Sequence, residues 1–340
     1  MLIDCTEEIK KFGVIGIPSE SSIMSDWEQN VTIPKVSVVC WTYNQEDYVE
    51  STIQSFLNQK TNFPFEIVIQ DDASTDNTQA IIKKYATLYP TIIKPVLFDE
   101  NQYSKGSPIG MMAFQKARGD YVAMCDGDDF WISPYKLQIQ YGLALDNADI
   151  ACFFHPVFQI YSDKEQELSG VHSSISKHYS LSDVINGDAG FMQTSSCFMR
   201  KESLLATPNR YVSNFSVGDY IWQMFTSHDG AIYTPIPMSV YRRNSPMSIS
   251  SSNSVKSDKD KINIIKQDLL LLTELPNYLP VNSSEIKKVI DQRSTLLSFH
   301  YLKVLNFKGF ALSLFPSFSV STLIYLLKLI VSSLLKNRKS

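Results

Sequence analysis

Short apolar runs, each ending in a polar cluster, organise the first 130 residues of the chain. Val36-Ser37-Val38-Val39-Cys40-Trp41 reads as a β-strand, and Asn44 begins a helical pattern carrying Tyr48, Ile53, Phe56 and Leu57. Phe65-Glu66-Ile67-Val68-Ile69-Gln70 predicts a second strand, broken by Asp71-Asp72-Ala73-Ser74-Thr75-Asp76. A helix follows from about Thr78 to Tyr89, with Ser74 or Asp76 as its N-cap. Ile92 to Phe98 predicts a third strand and Ile109 to Ala117 a helix. Tyr121 to Cys125 is then a strand leading into Asp126-Gly127-Asp128-Asp129. Such alternation implies parallel strands joined by right-handed crossovers, an α/β fold. Ligands of open parallel sheets bind outside the carboxyl ends of the strands. Thr42-Tyr43-Asn44, Asp71-Asp72 and Asp126 to Asp129 each follow a strand and are therefore expected to converge on one crevice.

The second half is less regular. Residues 151–160 and 194–200 look like strands, and Ile232 to Val240 is a further apolar segment. Ser245 to Lys261 is Ser-rich, polar and without periodicity, the signature of a loop or linker. Helical stretches follow over roughly 262–275, 284–306 and 320–336. The chain thus divides into an N-terminal extension (1–34), an α/β domain (35–245, with halves 35–130 and 131–245), a flexible loop (246–261) and a helical tail (262–340).

Composition narrows the classes. With 340 residues, 44% hydrophobic and 19% charged, the chain is able to bury a sizeable core. A net charge of −4 argues against nucleic acid as a partner. The five cysteines have no ligand-like spacing, and Cys40, Cys125 and Cys197 sit in strand-like runs, which suits free thiols in a reducing compartment. Met1 to Lys11 contains no signal-peptide apolar core, so a cytoplasmic location is expected. Charge is uneven, however. No Asp or Glu follows Asp291, whereas Arg293, Lys303, Lys308, Lys328, Lys336, Arg338 and Lys339 do. Phe318 to Leu335 is nearly all apolar or Ser/Thr, interrupted by Lys328. It suits either a helix lying in the interface of an anionic leaflet or one packed on the protein's own core; a membrane span ranks third.

The chemistry concentrates at Asp126, Asp128 and Asp129. Like charges that close repel and resist desolvation, so a divalent cation such as Mg²⁺ or Mn²⁺, shared with substrate phosphates, would relieve them. The alternative is an acidic turn before the next helix.

Three segments in order resemble the glycosyltransferase family 2 enzymes of the GT-A fold: Val36 through Asn44, Asp71-Asp72-Ala73-Ser74-Thr75-Asp76-Asn77-Thr78, and Gly119-Asp120-Tyr121 through Asp129. The resemblance covers residues 35 to about 245 and implies a Rossmann-like nucleotide-sugar-binding domain with a mainly parallel sheet, residues 35–130 forming the nucleotide-sugar half and 131–245 the acceptor half. It also implies a nucleotide-diphosphate sugar donor, a divalent Mn²⁺ or Mg²⁺ cofactor and a glycan or lipid-linked acceptor. By this resemblance Thr42, Tyr43 and Asn44 line the nucleotide pocket, and Asp71 accepts a hydrogen bond from the base. Asp71 and Asp72 also suit the electrostatics of a helix N-terminus, so one of the pair is expected in each role. Asp126 faces the ribose beside Gly127, and Asp128 binds the metal. Arg242, Arg243 or Lys105 would share the diphosphate charge, with a solvated surface role the alternative. Val217-Gly218-Asp219 matches the place of the family's catalytic base, so Asp219 would take the acceptor proton, although it also suits an N-cap. One carboxylate base attacking in line predicts inversion at the anomeric carbon.

Two features depart from the family. Tyr241-Arg242-Arg243-Asn244 carries Asn244 where many relatives have a His, and the QxxRW signature of processive relatives is absent, which favours addition of a single sugar. The five histidines match no motif. Nucleotidyl transfer fits less well, because Cys40-Trp41-Thr42-Tyr43-Asn44 is no Gly-rich phosphate loop. A non-catalytic sugar-nucleotide-binding scaffold of a membrane glycan-assembly complex is the alternative from another class.

Overall fold

The computed structural model describes residues 16–28, 31–162, 165–243, 256–314 and 320–337. The first half alternates β1 (Val36–Thr42), α2 (Val49–Leu57), β2 (Phe65–Asp71), α3 (Thr78–Leu88), β3 (Ile93–Leu97), α4 (Ile109–Lys116) and β4 (Tyr121–Asp126), after a short α1 (Glu20–Ser25). The second half continues with β5 (Phe130–Trp131), α5 (Lys136–Asp146), β6 (Cys152–Phe154), β7 (Val157–Ser162), β8 (Glu165–Ser169), β9 (Lys177–Tyr179), α6 (Leu181–Asn186), β10 (Phe198–Arg200), α7 (Lys201–Leu205), α8 (Asn209–Asn214), α9 (Gly218–Thr226), β11 (Ala231–Tyr233) and β12 (Ser239–Arg242). Helices α10 (Asp258–Glu274), α11 (Lys287–Lys303), α12 (Phe307–Leu314) and α13 (Val320–Asn337) close the chain.

The main sheet runs β3-β2-β1-β4-β10-β6-β11-β9. Its first four strands are parallel, β10 is antiparallel to β4, and the rest is mixed. Every residue of β2 is buried and β1 is buried along nearly its whole length, which is why both read as unbroken apolar runs rather than alternating ones. Val36, Val38 and Cys40 pack with Ile67, Ile69, Ala123 and Cys125 under Ile53 and Phe56 of α2 and Ile82 of α3. Val39, Val68, Val122 and Met124 project to the other face, beneath Phe114 of α4 and Tyr220, Ile221 and Met224 of α9. A second sheet, β5-β12-β7-β8, sits behind the acidic loop.

Three local readings change. The helix after β1 starts at Val49 rather than Asn44, because Asn44 takes a left-handed φ of 51° and its side chain accepts from the Thr75 N–H instead. The N-cap of α3 is Asn77, though Asp76 Oδ1 does accept the Thr78 N–H at 2.9 Å. The apolar segment 232–240 splits into β11 and β12 in different sheets, since Pro235 and Pro237 cannot donate to a ladder.

The tail helices appear close to their expected positions, with α12 in addition. Helix α13 packs by one face: Leu326 is buried with Phe299 and Leu314, while Leu323, Ile324, Leu327 and Val331 stay exposed. Among the described residues no helix is long and apolar enough to cross a membrane. Most of the loop expected over 246–261, and Asn244, lie outside the described residues.

Candidate active site

Strand register brings the polar clusters to one level. Thr42 pairs with Asp71 across β1 and β2, and Trp41 with Asp126 across β1 and β4. All three strands therefore end together, at the point where the order reverses between β1 and β4.

Asp71 is fully buried and saturated. It accepts from Thr42 Oγ1 at 2.9 Å, from the Ser74 N–H at 2.9 Å and hydroxyl at 2.5 Å, and from the Gln79 amide at 2.7 Å. Asp72 accepts the N–H groups of Gln102 at 2.6 Å and Tyr103 at 3.0 Å, which holds the turn after β3. These bonds require a tight loop after β2, where Ala73 sits at φ 63°. Tyr43 and Asn44 are half-buried on the facing loop, and the Asn44 N–H donates to Ser74 Oγ at 2.8 Å.

The acidic loop after β4 is built differently. Asp126 is half-buried, and its carboxyl is pushed up to about 8, first by burial and then by Asp128 and Asp219. Burial, with Asp128 and Asp126, holds the Asp129 carboxyl well above its usual range, against the pull of Arg242. Asp128 is buried between them. Arg242, on β12, serves as a stitch. Its N–H donates to Asp129 Oδ1 at 2.9 Å, its Nη1 to the Asp128 carbonyl at 2.6 Å and its Nη2 to Ser51 Oγ at 3.1 Å. The guanidinium also lies over the Phe130 ring at 4.4 Å. Thr52 Oγ1, on α2, lies 2.6 Å from the Asp129 carbonyl. Gly127 is needed for its size: a Cβ there would meet Gln45 Oε1 at 2.4 Å and Thr42 Cγ2 at 2.5 Å.

Asp219 lies in the first turn of α9. Its Oδ2 accepts from Thr194 Oγ1 at 2.9 Å and its Oδ1 from the Tyr220 N–H at 2.9 Å, while burial raises its pKa. One turn on, Trp222 stacks on Trp41 with centroids 5.8 Å apart and 14° between planes. Trp41 shares its sheet face with Asp126, so the indole pair links the α9 helix to the end of β4. A Cβ on Gly110 would lie 2.1 Å from the Trp222 ring, which fixes that contact.

The site thus gathers Thr42, Asp71, Asp126, Gly127, Asp128 and Arg242, with Asp219 close enough to raise Asp126. Lys105 pairs with Glu100 on the exposed surface, and Arg243 donates to Gln159 Oε1 at 3.0 Å. Sequence reasoning missed Gln79 and Thr52; the resemblance places polar residues near the acceptor at Gln193 to Ser196 but gives Thr194 no catalytic part. A polar residue in the first turn of a helix that follows an Asp pair was the available signal for Gln79. Among the described residues, no three His, Cys, Asp or Glu side chains are grouped so as to hold a metal ion by themselves.

The family model "Glycosyl transferase family 2" matches residues 37–206, half of the chain. This chain is a family 2 glycosyltransferase. The matched span takes in β1 through α7 and stops before Asp219. The fold of the glycosyltransferase is GT-A: TarS of S. aureus (residues 1–349, in complex with UDP-GlcNAc) aligns over 86% of this chain and 79% of that one, at TM-score 0.56 and 18% identity. A Mycobacterium tuberculosis protein, described only as uncharacterized, is 34% identical over 217 residues, 62% of this chain and 59% of its own length. The glycosyltransferase therefore spans less than two thirds of that relative. WfaP of Escherichia coli, a UDP-Glc:alpha-D-GlcNAc-diphosphoundecaprenol beta-1,3-glucosyltransferase, is 33% identical over 140 residues, 41% of this chain and 51% of that protein.

Proposed function

We propose that this glycosyltransferase moves one sugar, with inversion, from a UDP-sugar to a glycan or lipid-linked acceptor in surface polysaccharide synthesis. The carrying observation is the set of carboxylates at the carboxyl end of β4 and in the first turn of α9. Asp128 and Asp219 lie close enough to Asp126 to help push it up to about 8, and Arg242 is the cation that adjoins Asp128 and Asp129. Relatives point the same way, among them WfaP and the putative teichuronic acid biosynthesis glycosyltransferase TuaG of Bacillus subtilis.

The donor set suits Mn²⁺ or Mg²⁺, which take one or two carboxylates and complete their shell with water and phosphate. Asp128 would hold the ion, which when bound supplies the positive charge that the leaving diphosphate needs. Asp126 and Gly127 would face the ribose and diphosphate, with glycine allowing close approach. Thr42, Tyr43 and Asn44 would line the base pocket beside Asp72. A base N–H would take the place of the Gln79 amide on Asp71, giving a charge-assisted bond. Arg242 would serve the diphosphate through the acidic loop it stitches.

Asp219 would act as the base. Thr194 and the Tyr220 N–H orient its carboxylate, and a pKa raised by burial improves its basicity. The acceptor oxygen forms a bond to the anomeric carbon as the bond to the phosphate oxygen breaks. The hydroxyl proton goes to Asp219, and UDP leaves with the electron pair. An α-linked donor then gives a β-linked product.

The exposed face of α13, with Lys328 beside Leu323, Ile324, Leu327 and Val331, would rest on the anionic cytoplasmic leaflet where a lipid-linked acceptor is found. The test is UDP release from a panel of UDP-sugars. One donor is expected to give slow hydrolysis with Mn²⁺ that stops on chelation, and a thermal shift with UDP and Mn²⁺ together. Absence of UDP release from every nucleotide-sugar, with and without acceptor glycolipids, would overturn the reading.

A further inference from the structure

Asp219 lies beyond the residues matched to the family, and the helices that hold its segment lie beyond them as well. Two stretches of chain meet at its carboxylate. One is Ser216-Val217-Gly218, which leads into α9. The other runs from Asp188 to Thr194, whose hydroxyl bonds Asp219 Oδ2.

Both stretches are tied to the same arginine. Asp268 of α10 is fully buried and accepts the Ser216 N–H at 2.9 Å and the Ser216 hydroxyl at 2.6 Å. Arg293 of α11, itself largely buried, lies 3.8 Å from Asp268 through Nη1 and 2.6 Å from Asp188 Oδ1 through Nη2. Asp188 holds a left-handed φ of 57°, a strained conformation for a residue with a Cβ. Its carbonyl accepts the Phe191 N–H at 3.0 Å, three residues before Thr194. Helix α10 adds a further grip, because the Tyr211 hydroxyl donates to the Leu271 carbonyl at 3.0 Å.

Packing is a poor account of this arrangement. Two carboxylates and a guanidinium taken out of water are often no more stabilising than apolar residues of the same volume, whereas in some proteins such groups fix geometry. The geometry fixed here is the mutual placement of Ser216 and Asp188, hence of the α9 terminus and Thr194.

We infer that Asp268 and Arg293 are positioning residues for the transfer reaction: α10 and α11 clamp the two segments that aim the Asp219 carboxylate. The inference rests on Asp219 being the base. The C-terminal helices are then part of the catalytic module and not only an appendage.

The experiment compares Ser216→Ala, Ser216→Thr, Asp268→Asn and Asp219→Asn in the full chain, with kcat, donor KM, UDP affinity and Tm for each. Ser216→Ala and Asp268→Asn are expected to lower kcat about tenfold to a hundredfold, as small misplacements of a reacting group do. Donor KM and UDP affinity are expected to stay within about twofold, because the nucleotide half is untouched. Ser216→Thr, which keeps the hydroxyl, is expected to recover most of the kcat lost in Ser216→Ala. Wild-type kcat in Ser216→Ala with a lowered Tm would overturn the clamp, as would equal losses in the Ala and Thr variants. If Asp268→Asn fails to fold, the Ser216 pair decides. Full activity in Asp219→Asn would instead remove the base reading itself, so the two failures are distinguishable.

Discussion

At the end of β2, Asp71 and Asp72 are surrounded by donors; at the end of β4, burial and neighbouring carboxylates push Asp126 and Asp129 up. The first pair receives hydroxyl, amide and backbone N–H bonds from Thr42, Ser74, Gln79, Gln102 and Tyr103. The second set has Arg242, and burial and mutual repulsion raise both Asp126 and Asp129. The two clusters lie one strand apart on either side of β1 and look alike in the sequence. A satisfied carboxylate organises the backbone around it. Carboxylates that raise one another resist losing their protons together, and a cation held with a diphosphate would relieve that repulsion.

Removing the side chain assigned to the ion breaks the comparison most severely. Asp128→Asn is expected to reduce kcat/KM on the order of 10³-fold, about 4 kcal/mol, as loss of charge stabilisation in a closed site does. Mn²⁺-dependent UDP binding, read by calorimetry, is expected to fall with it while Tm holds or rises. Unchanged Mn²⁺ dependence would show that the loop after β4 is only an acidic turn.

The opposite cluster predicts the opposite response. Asp71→Ala takes the acceptor from four donors inside the fold, of which Thr42 Oγ1 keeps the Gln70 carbonyl and the Gln79 amide the Phe98 carbonyl. It is expected to destabilise by about 2–4 kcal/mol in urea unfolding, since buried polar groups left unpaired are costly. If Asp71→Ala weakened UDP binding with stability intact, its carboxylate would serve the base alone and the contrast between the clusters would fail.

Much of the contrast could not be read in advance. The strands β1, β2 and β4 were legible because burial on both faces writes itself as continuous apolar runs, and the polar cluster after each run marks a ligand-facing end. The acidic loop and Asp219 were legible as residue types in place. Their partners were not, because those arise from contacts far apart in the chain. Thr194 meets Asp219 across 25 residues, and the Arg242 N–H meets Asp129 across 113. Nothing local in Tyr241-Arg242-Arg243 says that Arg242 turns inward over Phe130 while Arg243 binds Gln159. The second sheet was hidden for a related reason: two prolines cut one apolar segment into strands that pair with different neighbours. Helix α13 read equally as an interfacial helix or one packed on the core, and only its contacts with Phe299 and Leu314 separate an inner face from an outer one.

The smallest expected effect sharpens the comparison most, because it is absent at low pH and grows as pH rises. Asp126 has a folded pKa of about 8 against an ordinary value of 3.8. The folded protein therefore holds this proton over a range in which the unfolded chain has released it. Such a group contributes stability that is complete below its unfolded pKa and is lost as pH rises through the folded one. Asp126→Asn removes the titration while keeping the shape. The difference in Tm between variant and wild type is expected to be near zero below pH 4 and to favour the variant by about 2–5 °C above pH 8, solvent screening keeping it small for a half-buried group. UDP with Mn²⁺ is expected to shrink that gap at pH 8, because the ion supplies in the wild type the positive charge whose absence the variant makes harmless. A gap that is flat with pH would place Asp126 with Asp71 and Asp72, among carboxylates whose partners are already in the protein.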